Sequence, residues 1–245
     1  MRTLTKKERR KLRQEHILTQ DNNLSETFKI PDHIKPITMA QHNVRTSWED
    51  GQNIIMHGVA GTGKSFLALM LALREVMQEN SHYKCVNIIR SVVPSREIGF
   101  LPGTAGEKLA AYEEPYVTIC KKLFGRSDAY TLLKLKNVIE FTSTSFLRGD
   151  TFDDMIIIVD EYQNMNDSEI NTIITRVGEN SRVIFCGDHR QTDLHGKYDT
   201  SGYSTFMNIA RRIPSFDIVE FGIDDIVRSK FVKEYLIARE HYFRS

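Results

Sequence analysis

Cysteine and long apolar runs are scarce in this 245-residue sequence. Cys85, Cys120 and Cys186 are too scattered for a disulfide framework, and no Cys-x-x-Cys pair or Cys/His cluster in the sequence suggests zinc. The longest apolar run covers only residues 66–73, whereas a membrane-spanning helix needs about 20 apolar residues. We therefore expect three reduced, mostly buried thiols and no membrane segment.

An excess of either charge is also lacking, because 33 Lys and Arg face 32 Asp and Glu for a net charge of +1. The distribution is uneven, since residues 1–13 alone carry a charge of +6. A polyanion attracted by charge would meet this basic arm first, although a solvated helix that keeps the protein soluble is an equally good interpretation. No apolar stretch follows the basic residues, so we expect no secretory signal and predict a cytoplasmic protein.

The sequence predicts a basic arm and linker over residues 1–36 and one α/β domain over residues 37–245. The linker includes DNNLSETFKIPDHIKP, which is polar and carries two prolines. Short apolar runs recur through the domain as NIIMH (53–57), CVNII (85–89), MIIIVD (155–160), RVIFCG (182–187) and FDIVEF (216–221). Strands that are apolar on both faces indicate a mainly parallel sheet covered by helices on both faces.

Two further segments interrupt this rhythm. Residues 90–115 are rich in Gly and Pro, so we interpret them as a long loop or a small insertion. NVIEF, at 137–141, is a candidate for a further strand.

A phosphate-binding loop is predicted at GVAGTGKS, where the spacing G-x-x-x-x-G-K-[ST] is met between an apolar strand and an apolar helix. Its glycines let successive backbone N–H groups point into one concavity, to which the helix from Lys64 adds its positive end. Lys64 is placed to reach the β- and γ-phosphates of ATP, and the Ser65 hydroxyl to ligate Mg²⁺. A Gly-rich turn that serves only close packing is the weaker alternative. The predicted nucleotide-binding residues of the loop are Gly58, Val59, Ala60, Gly61, Thr62, Gly63, Lys64 and Ser65.

Two more strand ends carry polar motifs that suit a nucleotide site. MIIIVDE ends on Asp160, placed to hold Mg²⁺ through water, and on Glu161, placed to orient and deprotonate an attacking water. GDHRQTD follows RVIFC and would project Asp188 and Gln191 toward the same crevice. Ligands of open α/β sheets bind outside the carboxyl ends of the strands, so the three motifs together predict a site for ATP hydrolysis. A small-molecule kinase would leave Glu161 and GDHRQ without a role.

Adenine is the expected base, because the sequence has no Asn-Lys-x-Asp motif for reading guanine. Gln41, upstream of the phosphate loop, is placed where its amide could read the adenine edge with one donor and one acceptor. A surface glutamine is the default alternative at that position.

Six motifs occur here in the order and approximate spacing of one known family: GVAGTGKS, GFLPGTAGEK followed by PY, RGDTF, DEYQN, TRVG and CGDHRQTDL. Between about residues 37 and 232 the sequence resembles the PhoH-like proteins, phosphate-starvation-inducible ATPases related to the first core domain of superfamily 1 helicases. The resemblance implies a RecA-like P-loop domain in which another strand separates the phosphate-loop strand from the DE strand. The family's ATPase assignment carries over onto residues 58–65, Asp160, Glu161, Gln191 and, on the adenine side, Gln41.

The sequence departs from the family pattern at two positions. Tyr162 stands where the family usually has a small residue, and Ser229 replaces a common His. Both departures leave the phosphate chemistry intact.

Hydrolysis also calls for an arginine at the γ-phosphate. Two-lobed helicases take it from their second lobe, and too few residues follow Asp193 for such a lobe. We therefore expect neighbours in a homo-oligomer, such as a hexameric ring, to complete the site. Arg228 is the first candidate because the resemblance places a motif there, and Arg176 and Arg148 are others. A surface salt bridge is the competing interpretation for each.

The helicase-like motifs favour RNA or single-stranded DNA as a partner. Arg90, Ser95 and Arg96 follow the second strand, where related motors contact the sugar-phosphate backbone, and Arg148 is a further candidate contact. A nucleotide-dependent binding or scaffold protein with slow ATPase activity would use the same nucleotide residues. That alternative stays open at this point, ahead of the small-molecule kinase.

Overall fold

The computed structural model describes residues 28–92, 105–147, 149, 151–188 and 201–244. The strands in these ranges are β1 (Asn53–Gly58), β2 (Cys85–Arg90), β3 (Ile139–Ser143), β4 (Met155–Asp160), β5 (Arg182–Gly187) and β6 (Phe216–Phe221). The helices are α1 (Met39–Glu49), α2 (Lys64–Val76), α3 (Ala105–Phe124), α4 (Ala129–Leu135), α5 (Asp167–Ile174), α6 (Tyr203–Ala210) and α7 (Lys230–Arg244). Single turns of 3₁₀ helix follow β3, β4 and β6.

The six strands lie parallel in one sheet with the order β3-β2-β4-β5-β1-β6. The predicted parallel sheet is thus confirmed, as are the candidate strand at 137–141, found as β3, and the placement of one strand, β5, between β1 and β4. In the register, His57 of β1 pairs with Gly187 of β5, and Asp160 of β4 pairs with Cys186 of β5. The three strands that carry the nucleotide motifs therefore end side by side at one edge of the sheet.

Both faces of the sheet are buried, because successive side chains of a strand point to opposite faces and helices cover each face. On β1, Ile54 and Met56 belong to a hydrophobic cluster with residues of α1 to α4, whereas Ile55 belongs to a second cluster with residues of α5 and α6. None of the three has exposed surface. The predicted covering by helices on both faces is confirmed, and it explains why the strands read as unbroken apolar runs.

The segment predicted as a long loop or a small insertion over residues 90–115 is helical from residue 105 onward. The loop interpretation was wrong for residues 105–115, which form the first half of α3 and include Pro115. Gly and Pro in the segment obscured a helical period of buried residues further along the helix, at Tyr116, Cys120 and Leu123. Residues 93–104 lie outside the described residues.

The end of the predicted linker packs onto the domain. Phe28 and Ile30 are buried in the first cluster, and the ring of Phe28 meets that of Phe124 edge-on at 5.2 Å between centroids. Arg74 of α2 donates a hydrogen bond of 2.6 Å to the carbonyl of Ile34. The chain therefore joins the core before residue 37, whereas residues 1–27 lie outside the described residues.

The three cysteines are free and buried, as predicted. Burial raises the pKa of the Cys85 and Cys120 thiols to about 12, so both stay protonated at neutral pH. Within the described ranges, no helix combines the length and the apolar character needed to cross a membrane.

Candidate nucleotide-binding site

The phosphate loop leaves β1 pressed against the end of β6. Gly58 has a φ of +117°, and a Cβ added there would lie 2.2 Å from the carbonyl oxygen of Phe221. The next amide, of Val59, donates a 2.9 Å hydrogen bond to that same oxygen. Gly61 and Gly63 also have positive φ, at +76° and +81°. Glycine is thus needed at Gly58 both for its backbone angle and for the close approach of β6.

The loop leads directly into α2, whose amino end has no side-chain cap. Lys64 is the first residue of the helix, and the capping position is taken by Gly63, which has no side chain to accept a hydrogen bond. The first-turn amides and the positive end of the helix dipole therefore suit an anion. Seven consecutive buried residues, 67–73, fix α2 in the core and with it the position of the loop.

The Lys64 ammonium lies across the loop. Its Nζ donates to the carbonyls of Gly58 at 3.0 Å and Val59 at 2.8 Å, and lies 3.3 Å from the Thr62 hydroxyl. Burial lowers the pKa of Lys64, and the nearby Asp188 carboxyl group is the strongest influence opposing that shift. The predicted phosphate-binding lysine is thus held at the loop, where phosphates would meet it.

Ser65 and Asp160 meet across the sheet edge, as a site for Mg²⁺ requires. The Ser65 hydroxyl donates to Oδ1 of Asp160 at 2.9 Å, and Asp160 is 4% exposed. Among the described residues no group of three or more His, Cys, Asp or Glu side chains could hold a metal by itself. Mg²⁺ in nucleotide sites takes one or two protein oxygens and completes its shell with water and phosphate oxygens. The hydroxyl and carboxylate pair fits that donor set.

Glu161 stands directly beside this pair in an unusual backbone conformation. Its φ of +54° lies in the left-handed region, which is uncommon for a residue with a side chain. Burial raises the pKa of the Glu161 carboxyl group, and the adjacent Asp160 raises it further. A carboxylate that is more basic than usual is suited to accept a proton from water near neutral pH.

Gln163 fixes the Glu161 side chain, a role that the sequence motif did not indicate. Its amide nitrogen donates to Oε2 of Glu161 at 2.5 Å, while its amide oxygen accepts from the backbone N–H of Asp188 at 3.0 Å. Gln163 has no exposed surface. It therefore links the ends of β4 and β5 through one buried side chain. The sequence signal that could have indicated this role is the position of Gln163 in DEYQN, two residues after Glu161.

Comparison with known proteins shows the family to which this chain belongs. The model of the PhoH-like protein family matches residues 33–240. This chain belongs to the PhoH-like family. It is 30% identical over 206 residues to a PhoH-like protein of Bacillus subtilis, covering 84% of this chain and 63% of that protein. It is 31% identical over 201 residues to protein PhoH of Escherichia coli K12, covering 81% of this chain and 56% of that protein. The chain thus spans less than two thirds of the length of either relative.

Solved structures of nucleic-acid motors are similar at lower identity. The large terminase of a thermophilic bacteriophage matches with a TM-score of 0.48 and 14% identity, over 82% of this chain and 50% of that chain. The Pif1 helicase of Candida albicans matches with a TM-score of 0.40 and 17% identity, over 81% of this chain and 43% of that chain. The fold of the PhoH-like chain is the predicted α/β core, a parallel sheet of six strands in which the phosphate loop joins β1 to α2.

Gln41 of this PhoH-like chain is buried and bridges α1 to the phosphate loop. Its amide nitrogen donates to the carbonyl of Thr62 at 2.9 Å, and its amide oxygen accepts from the N–H of Ile37 at 2.9 Å. Its exposed fraction is 6%, so the interpretation as a surface glutamine was wrong. The amide nitrogen keeps one further N–H donor and the amide oxygen one further acceptor position, which together match an adenine edge.

Tyr162, a departure from the usual PhoH-like pattern, belongs to the core. Its ring has no exposed surface and stacks on Tyr203 at 5.4 Å between centroids. A Cβ on Gly187 would lie 2.6 Å from the Tyr162 ring, so the glycine in CGDHRQ makes room for it. The large side chain therefore fills the second hydrophobic cluster and leaves the phosphate chemistry unchanged.

The two described arginine candidates lie at opposite edges of the sheet. A Cβ on Gly61 would meet the Arg228 side chain at 3.1 Å from Cγ and 3.5 Å from Nε, so Arg228 covers its own phosphate loop. Arg176 follows α5 near the start of the strands, where its carbonyl accepts from the N–H of Phe152 at 2.7 Å. Arg176 therefore lies at the end of the sheet where the strands begin, whereas the phosphate loop lies where they end, so Arg176 does not contact the phosphate loop of its own chain.

Arg90 lies inside the nucleotide site. It ends β2 in register with Asp160 of β4, and its guanidinium lies 5.7 Å from the centre of the Tyr112 ring. Burial alone would lower the pKa of Arg90, but Tyr116, Asp160 and Glu161 outweigh this effect and raise the pKa. The remaining predicted residues, Gln191, Ser95, Arg96 and Arg148, lie outside the described residues.

Proposed function

We propose that this PhoH-like protein hydrolyses ATP with Mg²⁺ and couples the reaction to binding or remodelling RNA or single-stranded DNA. The observation that carries the hydrolase assignment is the position of Glu161. Its carboxyl group is half-buried, more basic than usual, and held by Gln163 beside the Ser65 and Asp160 pair. A kinase must keep water away from the γ-phosphate, whereas a hydrolase needs a group that orients water and accepts its proton.

The residues divide the work at the sheet edge. The amides of residues 61–65 and the Lys64 ammonium would bind the phosphates, and Gln41 would read the adenine. Ser65 and Asp160 would hold Mg²⁺, which neutralises phosphate charge when it is bound. Glu161 would orient the attacking water and accept its proton, and Gln191, four residues after β5 in the sequence, would contact the γ-phosphate.

Arg228 is proposed to act on the nucleotide of its own chain. Its side chain already covers Gly61 of the same loop. Arg176, at the far edge of the sheet, could reach a nucleotide only in a neighbouring subunit. A homo-oligomer such as a hexameric ring would bring it there.

The nucleic-acid partner and the cytoplasmic location stay predictions. The basic arm over residues 1–13 is one candidate contact, and Arg96 and Arg148 are others. For Arg90, predicted as a nucleic-acid contact, we propose a role at the nucleotide instead, which its register position beside Asp160 supports.

Glu161→Gln tests the hydrolase assignment. We expect kcat to fall by about 10² to 10⁴ because a general base is lost, while ATP affinity stays within about twofold of the parent. Glu140→Gln removes an exposed carboxylate of β3 and serves as the control. Phosphate release is measured with and without poly-rU RNA and single-stranded poly-dT DNA.

The outcomes separate the functions. Phosphate release that needs Glu161 and rises with either polymer supports the proposal. Turnover that neither polymer changes would favour a nucleotide-dependent scaffold, and an unchanged kcat in Glu161→Gln would overturn the hydrolase assignment.

A further inference from the structure

Asp160 has both carboxylate oxygens committed to protein hydroxyls. Oδ1 accepts from Ser65 at 2.9 Å, and Oδ2 accepts from the Tyr116 hydroxyl at 2.8 Å. Asp160 and Tyr116 are 4% and 1% exposed, so water does not take the place of either bond. A buried carboxylate with two fixed donors has one rotational position.

Tyr116 in turn is held by its neighbours on α3 and β2. The Arg90 guanidinium is close enough to the Tyr116 hydroxyl for each to influence the other's pKa, and it lies 5.7 Å from the centre of the Tyr112 ring. The Tyr116 ring packs against Phe141 of β3 at 5.9 Å between centroids. Because the ring is packed in this way, the Tyr116 hydroxyl can move away from Asp160 only if the side chain or α3 itself shifts.

We infer that Tyr116 is a positioning residue for Asp160, holding Oδ2 so that Oδ1 and the Ser65 hydroxyl face a bound Mg²⁺. This inference rests on the proposed function, because it concerns how the same site holds its metal. The physical reason is that an anchored carboxylate presents one oxygen to a metal, whereas a free one also samples orientations that do not. Groups that orient metal-binding side chains typically change metal affinity about 10- to 100-fold when they are removed.

Tyr116→Phe removes only the hydroxyl and keeps the buried ring. Tyr130→Phe is the matched control, because Tyr130 is also buried, on the adjacent α4, and its hydroxyl donates to Glu113 at 2.6 Å rather than to Asp160. Binding of a fluorescent, slowly hydrolysed ATP analogue is titrated for each variant in EDTA and then at increasing Mg²⁺. Thermal unfolding is recorded alongside.

We expect Tyr116→Phe to bind the analogue in EDTA as the parent does. The Mg²⁺ concentration for half-maximal tightening should rise about 10-fold, and kcat should fall at limiting Mg²⁺ and recover in part at high Mg²⁺. Tyr130→Phe should leave the Mg²⁺ dependence unchanged at a similar loss of thermal stability. Equal Mg²⁺ dependence in parent and Tyr116→Phe would overturn the inference.

Two further results keep the test decisive. If Tyr116→Phe does not fold, Arg90→Gln is titrated instead. Loss of a nearby cation would by electrostatics alone tighten Mg²⁺ binding, so weaker binding supports positioning through Tyr116, and unchanged or tighter binding contradicts it. If the parent itself shows no Mg²⁺-dependent analogue binding, it is the proposed function that fails.

Discussion

Replacing Gln163 by methionine isolates the hydrogen bonds that hold Glu161. Methionine nearly preserves the side-chain volume but removes the amide that donates to Glu161 at 2.5 Å and accepts from the Asp188 N–H at 3.0 Å. Gln163 has no exposed surface and Asp188 is also buried, so water cannot replace the bond to the Asp188 N–H.

The magnitude follows from the two lost partners. A hydrogen bond to a charged group contributes about 1.5–3 kcal/mol, and a buried N–H left without a partner costs about 1–3 kcal/mol. We therefore expect the free energy of unfolding to fall by about 2.5–6 kcal/mol. Because correct placement of a general base is worth at most about 10² to 10⁴ in rate, kcat should fall by about 10- to 100-fold.

The pH dependence gives the sharper signature. The Gln163 hydrogen bond works to lower the pKa of Glu161, against burial and Asp160, which raise it. Its loss raises that pKa further. Glu161 must be ionised to accept a proton, so activity falls as the pH drops through its pKa. The acid limb of the profile of kcat/KM against pH should therefore move to higher pH in Gln163→Met.

Ser181→Ala is the control for general destabilisation. The Ser181 hydroxyl likewise donates and accepts: it donates to the Phe152 carbonyl at 2.6 Å and, more weakly, to that of Glu179 at 3.3 Å, and it accepts from the Met155 N–H at 2.9 Å. It lies at the opposite edge of the sheet, where the strands begin. Urea unfolding and phosphate-release profiles are measured for both variants. An acid limb that stays in place or moves to lower pH in Gln163→Met would refute the reasoning, whatever the loss of stability.

Three further predictions concern the loop, the arginine and the arm. Gly58→Ala should lower the free energy of unfolding by about 3 kcal/mol or more and abolish binding of the ATP analogue, because the added methyl group would clash with the Phe221 carbonyl. Gly51→Ala is the control, because Gly51 also has a positive φ, +84°, but lies in open space. It should lower the free energy of urea unfolding by about 1 kcal/mol and leave analogue binding unchanged. Mixtures of Arg228→Ala and Lys64→Ala chains should recover no ATPase activity, because Arg228 covers its own loop; recovery at any ratio would show that it serves a neighbour. If six cations of the arm contact phosphates, the RNA affinity of the parent should fall about 10³-fold between ~50 and ~200 mM salt. Deleting residues 2–13 should make RNA affinity less dependent on salt. An unchanged salt dependence would show that the arm does not contact the RNA.

Local patterns in the sequence were enough to predict much of the site. GVAGTGKS predicts its conformation because three glycines, a lysine and the start of an apolar helix fall within eight residues. The strands are equally legible, because burial on both faces demands unbroken apolar runs such as MIIIVD. Parallel strands then bring their carboxyl ends together, so Lys64 and Asp160 could be placed at one edge without coordinates.

The α3 helix shows where local patterns mislead. Gly and Pro between residues 90 and 115 predicted a loop, yet residues 105–115 are helical. Helix stability here comes from the burial of Tyr116 and Cys120 against the core, which outweighs the unfavourable Pro115. Propensity is a local quantity and does not include that packing.

The sequence by itself determined the family, the parallel sheet and the residues that would meet the phosphates, because each depends on contacts between near neighbours or on a repeated apolar period. Only the tertiary structure decided that Tyr116 anchors Asp160, that Gln41 supports the loop at Thr62 and that Arg228 covers Gly61 of its own chain. These contacts join residues 21 to 167 positions apart in the chain. Packing geometry, rather than any local pattern, sets which side chains meet at such separations.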